Sequence, residues 1–211
     1  MGEDSSTGWA GDDRPWRPAA SGASFVYVFP RPGEDLLKLG MSRDPLARIQ
    51  ALHPRGYEFI DLDAGWMLEV DRVREARALE LRLSRSLDGH RAPAPLTARP
   101  EAGGFTEWFR GAAPLLDAQA AALGDAGLRL HRPLRPWLAH ALREQNRLLF
   151  HWSETTLQRL LDQAPASGPP SPLEWTLRNA LDAPLAFGIP LEPLVSPRVL
   201  AWRADTLSRF R

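Results

Sequence analysis

The hydrophobic pattern of residues 25–109 changes repeatedly between the periods that are typical of strands and of helices. Apolar and aromatic residues follow one another over residues 25–29 and again over residues 36–41, as they do in β-strands. The intervening residues 31–35 read Arg-Pro-Gly-Glu-Asp, and this use of Pro and Gly favours a tight turn. The pattern therefore predicts a β-hairpin, followed by a third strand over residues 59–68.

Two helices are predicted around the third strand. Asp44 and Pro45 suit the N-cap and the first position of a helix, and His53 with Pro54 suits its end. Residues 70–87 predict a second, amphipathic helix, because apolar side chains recur there at helical spacing. The apolar stripe of this second helix consists of Val73, Ala76, Leu83 and Leu87.

The two ends of the chain differ from this middle part. Residues 1–23 are rich in Gly, Ser, Asp and Pro, and we expect a mobile arm there. We expect an α+β domain at residues 24–112, with a small three-stranded antiparallel sheet flanked by helices. An all-helical accessory domain is expected at residues 113–211. Its predicted helices span residues 114–124, 136–149, 153–163, 172–181 and 197–210.

Composition narrows the classes of function that are possible. The 26 basic and 26 acidic residues give a formal net charge of zero, so any surface that binds nucleic acid must be a local patch. The chain has no cysteine, which excludes disulfides, zinc–thiolate sites and cysteine nucleophiles. It shows neither an apolar N-terminal stretch nor a run of about 18 apolar residues. We therefore expect a protein of the bacterial cytoplasm without a membrane partner, since the excess of Arg over Lys is typical of a GC-rich genome.

Four residues in the first 80 positions carry candidate chemistry. Lys38 is the only lysine of the chain, and a lone lysine among many arginines favours a compact ammonium whose charge can be tuned. Tyr27 lies on the facing strand of the predicted hairpin, and Arg48 lies one turn into the first helix, where its guanidinium is able to fork onto a phosphate. Glu80 falls on the apolar stripe of the second helix, where a carboxylate is costly unless it is paired or binds a metal.

The order and spacing of these four residues resemble the motifs of the GIY-YIG nuclease superfamily, in the branch whose second motif reads Lys-Ile-Gly or Lys-Leu-Gly. The resemblance covers roughly residues 24–110, and the first motif has Phe25-Val26-Tyr27 where the family name has Gly-Ile-Tyr. The other matching positions are Lys38-Leu39-Gly40, Arg48, Glu80 and a closing Glu107-Trp108-Phe109.

The resemblance implies an endonuclease that hydrolyses DNA phosphodiester bonds by an in-line mechanism with a single divalent metal, Mg²⁺ or Mn²⁺. Tyr27 would be the general base, Lys38 and Arg48 would stabilise negative charge, and Glu80 would be the metal ligand. One carboxylate is sufficient, because Mg²⁺ commonly binds through one or two carboxylates together with water and phosphate.

Three further residues are candidates for substrate binding. Gly40 would leave room for the approach of a DNA backbone, because it has no side chain. Ser42 follows the second motif. His53 lies near the position of a histidine in many family members, although a histidine at the end of a helix also suits the helix dipole.

Several alternatives stay open at the level of sequence. Tyr27 is equally suited to sheet packing, and Glu80 to an ion pair with Arg77. The arginines of residues 70–91 suit either a solvated surface or contacts with phosphates. Two other functions are compatible with the pattern: a nucleic-acid-binding module that has the fold without the activity, and a protein-interaction scaffold that uses the Pro- and Trp-rich C-terminal half. Whether the DNA is duplex or single-stranded, and the oligomeric state, are also open.

Overall fold

A computed structural model describes residues 22–145, 148–162 and 168–210, so residues 1–21 of the predicted arm lie outside the described part. The described residues form an α+β structure around an antiparallel sheet of six strands. Its strands are β1 (Ser24–Pro30), β2 (Leu37–Ser42), β3 (Trp66–Val70), β4 (Arg91–Ala92), β5 (Trp108–Phe109) and β6 (Arg129–His131). They lie side by side in the order β4-β5-β2-β1-β3-β6.

Helices cover this sheet and continue beyond it. They are α1 (Pro45–Leu52), α2 (Gly56–Phe59), α3 (Val73–Arg85), α4 (Ala113–Asp125), α5 (Leu134–Gln145), α6 (Leu149–Asp162), α7 (Pro172–Ala186) and α8 (Pro197–Asp205). Within the described residues, none of these helices has both the length and the apolar character needed to cross a membrane.

The predicted β-hairpin is confirmed. β1 and β2 are antiparallel neighbours, with Tyr27 opposite Gly40 and Phe29 opposite Lys38. Gly33 in the turn has φ 69°, a left-handed conformation that glycine adopts without a steric penalty. Because residues that face each other across two strands share one side of the sheet, this register places Tyr27, Phe29 and Lys38 on the same face.

The start of α1 is also as predicted. The Asp44 carboxylate accepts a hydrogen bond from the Ala47 backbone N–H at 2.9 Å, and Pro45 occupies the first helical turn. His53 follows the helix as its C-cap. This local pairing fixes where the helix begins, and therefore fixes the position of Arg48 one turn later.

The third strand is shorter than the predicted residues 59–68. β3 begins only at Trp66, while Phe59 is the last residue of the short helix α2. Asp61 explains the difference, since its side chain accepts hydrogen bonds from the backbone N–H groups of Asp63 and Ala64, both at 3.0 Å. Such a turn interrupts the chain between the two apolar segments.

The sheet has two apolar faces, and each carries its own cluster of buried side chains. One face is aromatic, with Phe25, Tyr27 and Phe29 packed against residues of α1 and α5. The opposite face is aliphatic and packs against α3 and α4. Its strand residues are Val26, Val28, Leu37, Leu39, Trp66, Leu68 and Phe109.

Three expectations about these elements were wrong. The sheet has more than three strands, and residues 113–211 are not all-helical, because β6 pairs with β3. β4, β5 and β6 are only two or three residues long, too short to show an alternating pattern in the sequence. Val73 was expected to be buried, but it is 42% exposed at the first position of α3.

The C-terminal segment contributes to the core beneath the aromatic face. Leu134 and Leu138 of α5 belong to the same buried cluster as Phe25 and Tyr27. Further along, α6, α7 and α8 enclose a separate cluster around Leu177. The proposed division of the chain after residue 112 stays a prediction, but packing contacts cross it.

We expect Leu134→Ala to lower the free energy of unfolding by about 2–5 kcal/mol, as is usual when a buried leucine leaves a cavity. Leu134 is 0% exposed, and its backbone N–H donates to the Leu62 carbonyl oxygen at 3.0 Å. The matched control is Leu115→Ala, because Leu115 is 46% exposed and should cost about 0.5 kcal/mol or less. Denaturant unfolding measures both variants. An unchanged transition in Leu134→Ala would mean that α5 does not stabilise the sheet.

Candidate active site

Four different elements supply the predicted catalytic residues. Tyr27 lies on β1, Lys38 on β2, Arg48 on α1 and Glu80 on α3. The electrostatic effect of Glu80 reaches both Tyr27 and Lys38, and the effect of Arg48 reaches the same two groups. These four side chains, which are up to 53 positions apart in sequence, are called the cluster below; Tyr27 and Arg48 are in direct hydrogen-bond contact, whereas Glu80 acts on Tyr27 and Lys38 through its charge alone.

Arg48 is held by two acceptors. Its Nε donates to the Tyr27 hydroxyl at 3.0 Å, and its Nη1 donates to the carbonyl oxygen of Ala102 at 2.5 Å. Ala102 ends a short 3-10 helix, Pro100–Ala102, in the segment that leads to β5. The Arg48 guanidinium therefore bridges the sheet and this segment.

Gly40 makes room for Tyr27. A Cβ atom at position 40 would lie 2.5 Å from the Tyr27 hydroxyl oxygen and 2.8 Å from its Cζ, which is closer than real Cβ contacts. The space that was expected to admit a DNA backbone is therefore filled by the phenol ring. Tyr27 is also stacked on Phe29, with ring centroids 3.9 Å apart. Together these contacts fix the direction of the phenol.

Burial raises the pKa of Tyr27 to about 12. The charge and hydrogen bond of Arg48 oppose this effect, whereas the negative charges of Glu107 and Glu80 add to it. The phenol therefore keeps its proton at neutral pH.

Lys38 is 0% exposed, and its ammonium has specific partners. Nζ donates to the carbonyl oxygen of Gly104 at 2.8 Å and to Oε2 of Glu107 at 2.9 Å. It also lies 5.3 Å from the centre of the Trp108 ring, within the range of cation–π attraction. Burial lowers the pKa of Lys38, and the hydrogen bond and charge of Glu107 raise it in part.

Gly104 is a further glycine of the site at which a side chain does not fit. Its φ is +70°, and a Cβ there would lie 2.6 Å from the Lys38 Nζ. Gly104 was not predicted as a site residue, and Glu107 was noted only as part of the closing motif. The available signal was the run Gly103-Gly104 shortly before Glu107-Trp108-Phe109, because paired glycines mark a backbone that turns tightly or approaches another group closely.

Glu80 is a buried carboxylate with an incomplete set of partners. It is 7% exposed, and its Oε2 has no hydrogen-bond partner. The Arg77 Nη1 lies 3.8 Å away, close enough for an ion pair but too far for a hydrogen bond. Burial raises the pKa of Glu80, the negative charge of Glu107 raises it further, and Arg77 and Lys38 oppose the rise.

The carboxylate oxygens of Glu80 are suitable ligands for a hard divalent cation such as Mg²⁺. Carboxylate oxygen is the ligand that Mg²⁺ prefers, and the Glu80 Oε2, which is paired with Arg77 only at 3.8 Å, is able to bind a cation without losing a hydrogen bond. Within the described residues, no group of three or more His, Cys, Asp or Glu side chains is arranged to hold a metal. Glu80 would therefore share the ion with water and phosphate.

Ser42 lies in the turn that precedes α1. Its hydroxyl accepts from the Asp44 backbone N–H at 3.0 Å and donates to the Asp44 carbonyl oxygen at 2.9 Å. These bonds hold the N-cap residue of α1 in place. The structure thus gives Ser42 a local role in positioning the helix of Arg48, and its expected contact with substrate stays a prediction.

His53 lies at the opposite end of α1 from this turn. Its ring stacks on Phe59, with centroids 4.9 Å apart and planes at 6°, and its Nδ1 accepts from the Arg55 backbone N–H. Burial lowers the pKa of His53. These contacts tie His53 to α2, and its expected role in substrate binding stays a prediction.

The arginines of α3 and of the residue before it are exposed, and they differ in their partners. Arg72 and Arg77 pair with acids of the same helix at 4.0 and 3.8 Å. Among the described residues, Arg74, Arg82 and Arg85 have no ion-pair partner. Three guanidinium groups are therefore available to an anionic partner, and both readings of this surface remain open.

No protein-family model matches the chain, and neither a curated protein nor a solved structure matches it. The likeness to GIY-YIG nucleases consequently depends on the motif residues and on the cluster that they form here.

We expect Gly40→Ala to displace the Tyr27 ring and to lower the free energy of unfolding by about 1–3 kcal/mol, as overpacking usually does. The hydrogen bond from Arg48 to the phenol should be lost with it. Gly89→Ala is the matched control, since a Cβ at position 89 would meet nothing within 4 Å. Denaturant unfolding and a structure of the variant test this; equal stability of the two variants would contradict the close packing at Gly40.

We expect Glu80→Gln to raise the free energy of unfolding at pH 7 by about 0.5–2 kcal/mol when no divalent cation is present. The raised pKa of Glu80 means that its ionised form opposes folding at neutral pH. This penalty, and so the gain in the variant, disappears as the pH falls through the folded-state pKa. Mg²⁺ should stabilise the wild type and not Glu80→Gln, because binding to the folded state alone shifts unfolding.

The control is Glu75→Gln, a change of the same chemistry on the same helix at an exposed side chain. Thermal unfolding with and without Mg²⁺ gives both comparisons. Equal Mg²⁺-induced shifts in the wild type and in Glu80→Gln would exclude Glu80 as the ligand.

Proposed function

We propose that this protein is a divalent-metal-dependent endonuclease of the GIY-YIG type, which hydrolyses phosphodiester bonds in DNA. The main support is the buried Glu80 carboxylate, whose Oε2 lacks a hydrogen-bond partner and whose charge is felt by Tyr27 and Lys38. A buried acid without a full set of partners destabilises a fold, and such groups are concentrated at functional sites.

Phosphodiester hydrolysis makes four demands on a site. A water molecule must lose a proton, the charge on the pentavalent phosphate must be neutralised, the leaving alkoxide must be stabilised, and the line of attack must be held. A hydroxyl, two cations and a carboxylate that binds a metal are sufficient for these tasks. The cluster contains these groups in Tyr27, Lys38, Arg48 and Glu80.

The two cations would act on the phosphate. Arg48 has a planar fork of donors that matches phosphate oxygens, and Lys38 is a compact charge in a buried setting where its field is weakly screened. Glu80 would hold Mg²⁺ or Mn²⁺, and when bound this ion supplies charge neutralisation and lowers the pKa of a coordinated water.

Tyr27 would accept the proton of the attacking water. Only the phenolate form of Tyr27 accepts this proton, and because the pKa is about 12 that form is a small fraction of the protein at neutral pH. At pH values below about 12, the fraction of Tyr27 in the phenolate form increases about tenfold for each unit by which the pH rises. The rate should therefore increase with pH until Lys38 loses its proton, which gives a bell-shaped profile.

A second candidate is a DNA-binding module without cleavage activity. The observation that favours it is that Arg48 and Lys38 are already hydrogen-bonded to the carbonyl oxygens of Ala102 and Gly104. In an active enzyme these bonds would have to be shared with a phosphate or exchanged for one.

The test is incubation of the purified protein with supercoiled plasmid and with a single-stranded circle, in Mg²⁺ or Mn²⁺. We expect the wild type and Glu75→Gln to cleave at least one substrate, and chelation to abolish cleavage. Glu80→Gln and Tyr27→Phe should each lose roughly a hundredfold or more in rate, because each removes a metal ligand or a proton acceptor.

The outcomes separate the two candidates. Cleavage by all variants at equal rates would point to a contaminating nuclease and would refute these assignments. Retention of DNA at low salt without cleavage of either substrate would favour the binding module. The substrate that is cleaved also decides between duplex and single-stranded DNA.

A further inference from the structure

We propose that Glu107 is a positioning residue, which keeps the Lys38 ammonium charged and fixes its place in the site. Its effect on catalysis rests on the proposed nuclease function, but its effect on Lys38 does not. Glu107 would act through Lys38 and not on the substrate itself.

The need for such a residue follows from the burial of Lys38. An ammonium that is 0% exposed loses its hydration, and this favours the neutral amine unless a partner replaces the water. Glu107 Oε2 lies 2.9 Å from Nζ, and among the described residues it is the carboxylate that forms an ion pair with Lys38. Glu80 contributes an attractive field without such a contact.

The backbone holds Glu107 firmly beside β2. Its carbonyl oxygen accepts from the Leu39 backbone N–H at 3.1 Å, which places it one residue beyond the paired strands β2 and β5. Its own N–H donates to the Gly104 carbonyl oxygen at 3.3 Å, and the same oxygen accepts from Lys38 Nζ at 2.8 Å. Lys38, Gly104 and Glu107 therefore form a closed ring of three hydrogen bonds.

This ring fixes the Lys38 side chain from two directions. Gly104 needs its left-handed φ of +70° to direct its carbonyl oxygen at Nζ without a side-chain clash. Glu107 supplies the negative charge. A neutral side chain of the same shape at position 107 would preserve the packing but would remove that charge, so the two contributions can be separated.

The charged groups around Lys38 predict the direction of the effect. Burial and the positive charge of Arg48 lower the pKa of Lys38, whereas Glu107 and Glu80 raise it, and the hydrogen bond of Glu107 is the largest of the raising effects. Tyr27, which also faces this cluster, is neutral at the relevant pH. Loss of the Glu107 charge therefore shifts Lys38 toward the neutral amine, and its ammonium is lost at a lower pH than in the wild type.

The experiment uses the fact that Lys38 is the only lysine. Labelling with ¹⁵N-lysine gives a single Nζ resonance, whose pH titration can be followed by NMR in the full chain without substrate or metal. We expect Glu107→Gln to titrate at lower pH than the wild type, and Glu107→Asp to titrate closer to the wild type because it keeps the charge. Glu101→Gln is the matched control, since Glu101 is an exposed acid in the same segment.

The second readout is the pH dependence of DNA cleavage. The rate of Glu107→Gln relative to wild type should fall as the pH rises, by about tenfold per pH unit once Lys38 has lost its proton in the variant. At low pH, where Lys38 is charged in both proteins, the ratio should approach one. A merely structural role of Glu107 would lower the rate by the same factor at every pH.

The two readouts also separate this inference from the proposed function. Identical Lys38 titrations in the wild type and in Glu107→Gln would overturn the role of Glu107, whatever the activity. A shifted titration in a protein that cleaves no DNA would support the link between Glu107 and Lys38 and would refute the nuclease. A shifted titration with a pH-independent ratio of rates would overturn the catalytic part of the role.

Discussion

The buried ammonium of Lys38 is the constraint on which the site depends. A charge without solvent contact is tolerated only when protein groups replace its hydration, and here they are the Gly104 carbonyl oxygen and the Glu107 carboxylate. Both come from the segment before β5, about 66 to 69 positions after the lysine. Hydrogen bonds from Lys38 therefore hold residues 104–107, which are distant in sequence, beside the hairpin.

Arg48 repeats this arrangement from the other side. It binds the Tyr27 hydroxyl on the sheet and the Ala102 carbonyl oxygen on the same closing segment. Residues 102–107 thus accept hydrogen bonds from the buried Lys38 and from the half-buried Arg48. Because the segment is held by charged donors and not by a long strand, its position and the positions of the two cations depend on each other.

The negative charge of Glu80, which the proposed chemistry needs, lowers the stability of the fold. Glu80 on α3 is a buried carboxylate whose Oε2 has no hydrogen bond, and the negative charge of Glu107 raises its pKa further. Replacement by a neutral residue should favour the fold, and the proposed metal site would be a reason for the charge at this position. A cation supplied from solution would relieve this conflict, which connects binding to the energetics of the folded state.

The local pattern of the sequence determined the hairpin, the start of α1 and the amphipathic helix that carries Glu80. These features depend on neighbouring residues: alternating apolar runs around a Pro-Gly turn, an Asp-Pro N-cap, and helical spacing from Ala76 to Leu87. The order of Tyr27, Lys38, Arg48 and Glu80 was noticed instead through its resemblance to the GIY-YIG nucleases, and the role of these residues stays a prediction. The edge strands β4, β5 and β6 were not, because segments of two or three residues have no periodicity and form only when a neighbour offers hydrogen bonds.

Only the tertiary structure decided what the side chains contact. Gly40 was expected to face DNA, but the strand register places the Tyr27 ring over it. Glu107 was noted in the sequence only as part of the closing motif, and it became the partner of Lys38 because β5 pairs beside β2. Strand pairing between distant residues, burial and the loss of solvent screening arise only when the chain has folded. The protonation of the cluster residues therefore depends on the tertiary structure and could not be predicted from the sequence pattern.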